Sequence, residues 1–64
     1  MLARVGDRIF VRGRRTGQPD RQCTVLETRH ELGQPPYVVR WDDSDLQDLF
    51  FPRLDAFIIN RNSK

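Results

Sequence analysis

"PPYVVRWDD", Pro35 to Asp43, is the stretch whose reading decides the fold. A proline holds the residue before it in extended backbone, so Pro35 and Pro36 lead the chain straight into a strand. Period-two alternation then puts Tyr37, Val39 and Trp41 on one face and Val38 and Arg40 on the other. Two readings compete. The rings can form a platform or cage for a cationic ligand, which needs ring faces within about 6 Å of the charge. Alternatively, they are the middle of a very small core. The chain has 64 residues. A domain of that size buries only about 60% of the surface its unfolded form exposes. Its core supplies about 3–5 kcal/mol, so its largest rings are needed inside. Tyr37, Val39 and Trp41 are therefore expected in the core, with Arg40 facing solvent.

Outward from this strand, turn signals recur at short intervals: "RGRRTGQPD", "ELGQPP", "WDDSD" and "FPRLD". Between them lie short runs rich in β-branched and aromatic residues, the pattern of an all-β domain. In "GDRIFVRG", Ile9 and Val11 alternate with Arg8, Phe10 and Arg12. "QCTVLETRH" places Cys23 and Val25 on one face. "YVVRW", "DLFFP" and "AFIIN" supply three more strands, and "PRLDA" fits at most one short helical turn. Five short strands cannot build a thick two-layer sandwich. They predict one domain over residues 1–64, a small five-stranded antiparallel barrel whose bent sheet closes on itself and so limits exposed edges.

Composition narrows the function. One cysteine, Cys23, excludes an internal disulfide. With one histidine, His30, it makes a zinc site within the chain unexpected. No apolar run approaches the roughly 18 residues that span a membrane, and "MLARVGDR" does not read as a signal peptide. The expectation is a cytoplasmic protein with a reduced thiol. Net charge is +2 but uneven: residues 1–30 carry +4 and residues 31–64 carry −2. Ten of the eleven cations are arginine, whose planar fork suits phosphate. The opposite halves also suggest weak self-association, so a monomer or weak homodimer is expected.

Catalytic constellations are absent from the pattern. Cys23 and His30 lie seven residues apart on one expected strand, over about 20 Å, too far for a nucleophile and its base. Asp42, Asp43, Asp45 and Asp48 form an acidic cluster that lacks the glycine of a calcium loop, and it reads more simply as a solvated hairpin tip. The basic loop "RGRRTGQPDR" is the best candidate site. Arg12, Arg14, Arg15 and Arg21 flank a loop punctuated by glycine and proline. Four arginines together can track a phosphate backbone or meet an acidic protein surface.

The motif order "VGDRIFVRGRRTGQPDRQCTVLETR", "PPYVVRWDD", then "LFFP" and "LDA" resembles the small actinobacterial domain-of-unknown-function family numbered nineteen-eighteen. Its members read as a glycine-aspartate strand start, a G-R-x-x-G-x-P loop, a P-P-Y-x-V-R-W strand and an F-F-P-x-x-D close. The resemblance runs from Val5 to Ala56. It implies an SH3-like barrel and no assigned activity. The chain departs from the pattern at Cys23, where glycine is usual. It departs at "DDSDLQD", in place of a short glycine turn with histidine and glutamate, and at Arg53 and Leu54. "VGDRIFVRG" is also similar to the opening of KOW-type barrels, and "YVVRW" looks like a chromodomain strand. Neither likeness transfers a function.

The expected protein is thus a non-enzymatic binding or regulatory module without cofactor or metal. It either takes nucleic acid weakly through the basic loop or binds a protein through the barrel groove or edge.

Overall fold

The computed structural model describes residues 1–60. Among them are five strands: β1 (Arg8–Val11), β2 (Arg21–Thr28), β3 (Tyr37–Trp41), β4 (Gln47–Phe50) and β5 (Ala56–Asn60). The sheet order is β4-β3-β2-β1-β5, and every neighbouring pair is antiparallel. Three consecutive hairpins build β1 to β4, and the chain then returns to lay β5 beside β1. No helix is present among the described residues, and none is long and apolar enough to cross a membrane. The all-β, five-stranded antiparallel architecture is the one expected from the turn spacing, and β5 coincides with "AFIIN".

Alternation decides what goes inside. Ile9 on β1, Cys23 and Val25 on β2, and Tyr37, Val39 and Trp41 on β3 are buried, with Ala3 beside them. Arg40 is exposed between Val39 and Trp41. Register matches the burial: Ile9 faces Cys23, Cys23 faces Trp41, and Val25 faces Val39. Two irregularities bend the sheet. The β2–β3 register skips between Val25 and Glu27, and the β1–β5 register between Arg8 and Ile9. An extra residue on one strand bends that strand and increases its twist, which wraps the sheet around its inner face.

The rings divide as a small core requires. Tyr37 is fully buried, and Trp41 meets Phe50 edge to face with ring centroids 5.3 Å apart. Phe51, next in sequence, is exposed. Strand β4 therefore ends before it, earlier than the "DLFFP" expectation. The "PRLDA" segment forms a single hydrogen-bonded turn, in which the Ala56 amide donates to the Arg53 carbonyl at 3.1 Å.

Tyr37 also ties the N-terminal segment to the sheet. Its hydroxyl lies 2.6 Å from the Gly33 carbonyl oxygen and 3.0 Å from that of Met1. A phenol has one proton, so these two acceptors share it. The Ala3 amide donates to the same Gly33 carbonyl at 2.8 Å. Gly33 has φ +77°, and a Cβ there would lie 2.6 Å from the Ala3 carbonyl oxygen. Only glycine suits this junction. Further along, the Gly6 amide donates to the Val25 carbonyl and the Val25 amide to the Asp7 carbonyl, extending the β1–β2 ladder towards the N-terminus.

Trp41→Ala should remove about 3–5 kcal/mol, close to the stability available to a core of this size, and leave the chain unfolded by amide spectral dispersion. Tyr37→Phe should keep the fold but cost about 0.5–1.5 kcal/mol by chemical denaturation, because it removes the hydroxyl's hydrogen bond while the Gly33 carbonyl keeps the Ala3 amide. Its hydrogen exchange should quicken first at Ala3.

Candidate functional site

The basic loop between β1 and β2 is built by its own side chains. The Gly13 amide donates to Asp20 Oδ1 at 2.7 Å, and the Arg14 amide to Gln18 Oε1 at 3.2 Å. The Gln18 amide closes the tip on the Arg15 carbonyl at 2.9 Å. Gly13 lies so near the returning strand that a Cβ would sit 2.1 Å from the Gln18 carbonyl oxygen. The loop is thus a folded tip that presents Arg14 and Arg15, with Thr16 and Gln18, around a shallow surface hollow.

The four arginines expected to act together do not share one fate. Arg14 Nε pairs with Asp55 Oδ2 at 3.0 Å, and the Arg12 amide donates to the Asp55 carbonyl at 2.9 Å. Asp55 therefore fastens the basic loop to the turn before β5. Arg21 turns away from the loop tip. Its guanidinium grips Asp43 through Nε at 2.7 Å and through a terminal nitrogen at 2.9 Å. It also lies 4.0 Å from the centre of the Trp41 ring. Arg12 and Arg15 are exposed and make no ion pair among the described residues.

The acidic tip is likewise committed within the chain. Arg8 chelates both oxygens of Asp42 and also reaches Thr24 Oγ1 at 2.8 Å and Gln22 Oε1 at 3.1 Å. Arg40 Nε lies 3.8 Å from Asp45. The hydrogen bonds from Arg8 and Arg21 hold the Asp42 and Asp43 carboxyls below the usual carboxylate range. The same bonds raise the pKa of both guanidinium groups. The charge imbalance between the two halves of the sequence is therefore largely neutralised across the sheet.

One feature of the surface escapes a reading for charge alone. Phe10 and Phe57 face each other across β1 and β5, with ring centroids 5.3 Å apart and planes tilted by 34°. Ile9 points inward, so Phe10 belongs to the outer face, between Arg8 and Arg12. Phe57 is 47% exposed. Arginine, half-buried phenylalanine and arginine thus alternate along the outer face of β1. The signal was present in the period of "RIFVR", but the partner ring comes from a strand some 47 residues later in the chain, Phe57 against Phe10.

Cys23 is fully buried, and burial pushes its thiol up to about 11. It stays protonated and acts as a small apolar side chain. His30 sits in the exposed turn after β2, where its carbonyl accepts from the Gly33 amide at 3.1 Å.

This geometry joins the G-R-x-x-G-x-P loop to the F-F-P-x-x-D close, Arg14 to Asp55, and the family model for "Domain of unknown function (DUF1918)" matches residues 1–58. The chain belongs to the DUF1918 family. It is 39% identical over 59 residues to "Uncharacterized protein Rv0569" of Mycobacterium tuberculosis (strain ATCC 25618 / H37Rv), covering 92% of this chain and 67% of that one. It is 37% identical over 59 residues to "Uncharacterized protein Rv2302" of the same strain, covering 92% of this chain and 74% of that one. A Mycobacterium bovis relative, "Uncharacterized protein Mb2324", matches at the same 37% and the same coverage. No solved structure matches significantly. In this DUF1918 chain, the motif arginine and aspartate are accounted for by the tie between loop and turn.

The raised thiol sets an alkaline limit. A group whose pKa is raised on folding stabilises fully below its unfolded value, here 9.0, and loses that contribution as pH climbs through about 11. Burial raises the Tyr37 hydroxyl as well, in the same direction. Unfolding midpoints should therefore fall above pH 9, and less steeply in Cys23→Ala. At neutral pH a thiol reagent should modify Cys23 only as fast as the chain unfolds.

Proposed function

We propose that this DUF1918 chain is a non-enzymatic binding module that takes single-stranded nucleic acid weakly on the outer face of β1 and β5. The observation that carries the reading is the Phe10–Phe57 pair, standing on the outer face between arginines. Exposed rings on a sheet attract bases because every base has a face to stack. Each such contact is worth about 1–3 kcal/mol and is tolerant of sequence. Bases inside a duplex are already stacked on their neighbours, so the platform favours single strands.

Arg12 and Arg15 supply the phosphate contacts in this reading. Neither is neutralised by a carboxylate among the described residues, whereas Arg14 and Arg21 are each held by one. Arg14 therefore contributes mainly by holding the loop in place, and Arg21 by covering Trp41. The rings needed by the alternative aromatic cage are unavailable: Tyr37 is buried, and Arg21 covers the Trp41 face. With two free arginines and one ring pair, affinity belongs in the range of about 10⁻⁴ to 10⁻⁶ M at physiological salt.

Fluorescence anisotropy with a labelled oligothymidine and the matching duplex, each over a salt series, tests this. The single strand should bind more tightly than the duplex. Phe10→Ala should weaken single-strand binding by about tenfold, equivalent to about 1.4 kcal/mol, and leave the salt slope unchanged. Arg12→Ala/Arg15→Ala should reduce that slope by about 1.4, from two lost phosphate contacts on a single strand. Absence of binding at low salt, or binding indifferent to Phe10, overturns the reading.

A further inference from the structure

Strand β1 pairs with one side of β5, and among the described residues no strand lies on the other. That open side does not invite an added strand. The β1–β5 register skips between Arg8 and Ile9, which leaves Ile59 as an extra residue on β5. A bulge of this kind twists an edge away from a partner strand. Ile58 precedes the bulge. Residues opposite each other in an antiparallel ladder alternate between exchanging both hydrogen bonds and exchanging none. The Arg12 amide donates to the Asp55 carbonyl, and Phe10 faces Phe57 two residues on. Phe57 therefore turns its N–H towards β1, and Ile58 turns its N–H to the open side.

An apolar groove of about 680 Å³ runs along β5. That size falls among sites that hold small molecules, roughly 300–1,000 Å³, which are mostly apolar with a few polar groups. Met1, Leu2, Pro52, Leu54 and Ile58 contribute to its walls, and Arg53 is the one charged side chain among the lining residues. Leu54 is fully exposed and Leu2 is half-exposed. Among the described residues, no carboxylate forms an ion pair with Arg53. Asp55, two residues on, is held by Arg14. The groove thus combines apolar walls, one uncompensated guanidinium and one backbone donor.

We propose that this groove binds a small amphipathic monoanion, of which an unbranched alkyl carboxylate is the simplest form. Charge complementarity selects the class. A neutral apolar molecule covers the walls but leaves Arg53 with water alone as its partner. An alkyl cation sets like charges together, and a dianion brings a second charge that no other lining side chain matches. A monocarboxylate satisfies both needs. Its chain lies against Leu2, Leu54 and Ile58, and its head accepts from the Arg53 guanidinium, whose fork matches a carboxylate with two parallel hydrogen bonds. The Ile58 N–H offers a further donor along the same wall. The inference does not rest on the nucleic-acid reading, since it uses neither Phe10 nor the loop arginines.

Titration of the isotope-labelled full chain with octanoate, octylammonium and 1-octanol, all kept below micelle formation and followed by amide NMR signals, tests the proposal. Octanoate should shift the amides of Leu2, Leu54 and Ile58 and hardly move those of Thr16 and Gln22. It should bind at least about fourfold more tightly than hexanoate, since burying one methylene fully is worth about that ratio. Octylammonium should bind at least about tenfold more weakly than octanoate. Arg53→Gln should weaken octanoate about tenfold and leave 1-octanol unchanged. Leu54→Asp, which sets a carboxylate beside Arg53, should weaken octanoate at least as much, and unchanged amide signals away from the groove will show that each variant folds. Absence of shifts at about 10 mM octanoate overturns the proposal. Equal binding of octylammonium overturns it too, as does binding indifferent to both substitutions. Signals that move with phosphatidylglycerol vesicles and not with octanoate would also overturn it and assign the groove to a membrane surface.

Discussion

The burial of Tyr37, Val39 and Trp41 on one face of β3 is the constraint on which the rest of the structure depends. A sheet this small has one inner face, and these three side chains occupy its centre. Ile9, Cys23 and Val25 can be buried because register sets them opposite the β3 residues or one strand further on. Phe50 packs because Trp41 gives it an edge-to-face partner. The tyrosine hydroxyl then holds the N-terminal segment over the end of the core, through the Gly33 and Met1 carbonyls.

A second layer of order is electrostatic and lies on the outside. Arg8, Arg21 and Arg40 come from three different strands and converge on carboxylates of a single turn. These pairs are solvent-exposed, so screening limits what each adds to stability. Their larger effect is to remove charge that would otherwise be free. Three carboxylates of the acidic tip, Asp42, Asp43 and Asp45, are thereby matched to arginines of their own chain. Arg21 also occupies the face of Trp41, where an external cation would have to bind.

Among the described residues, parts of the surface remain uncommitted. Arg12 and Arg15, the Phe10–Phe57 pair, and the apolar groove beside β5 have no internal task that fully explains them. Exposed aromatic and apolar surface on a domain with so little core to spare is costly unless it is covered part of the time. The two proposals assign those surfaces to two occupants, a single strand on the outer face and a small apolar anion in the groove.

The sequence by itself determined the number and order of the strands, and the inward faces of those that alternate. Period-two alternation is a local property, so "YVVRW" and "RIFV" reveal their inward residues without knowledge of their neighbours, whereas "AFIIN" has three large apolar residues in a row and only its pairing with β1 shows which of them face out. Turn chemistry worked in the same way at "ELGQPP" and "FPRLD". The end of β4 was less legible, because Phe50 and Phe51 are alike in composition and only packing against Trp41 separates them. The site was legible in part. The loop arginines are visible in the sequence, but their availability is not. Whether an arginine is free depends on carboxylates brought from distant positions: Asp43 to Arg21, Asp42 to Arg8, Asp55 to Arg14. The Phe10–Phe57 pair and the apolar groove beside β5 likewise exist only once the chain returns to lay its last strand beside its first. Long-range pairing sets those contacts, and no local pattern encodes which strands become neighbours.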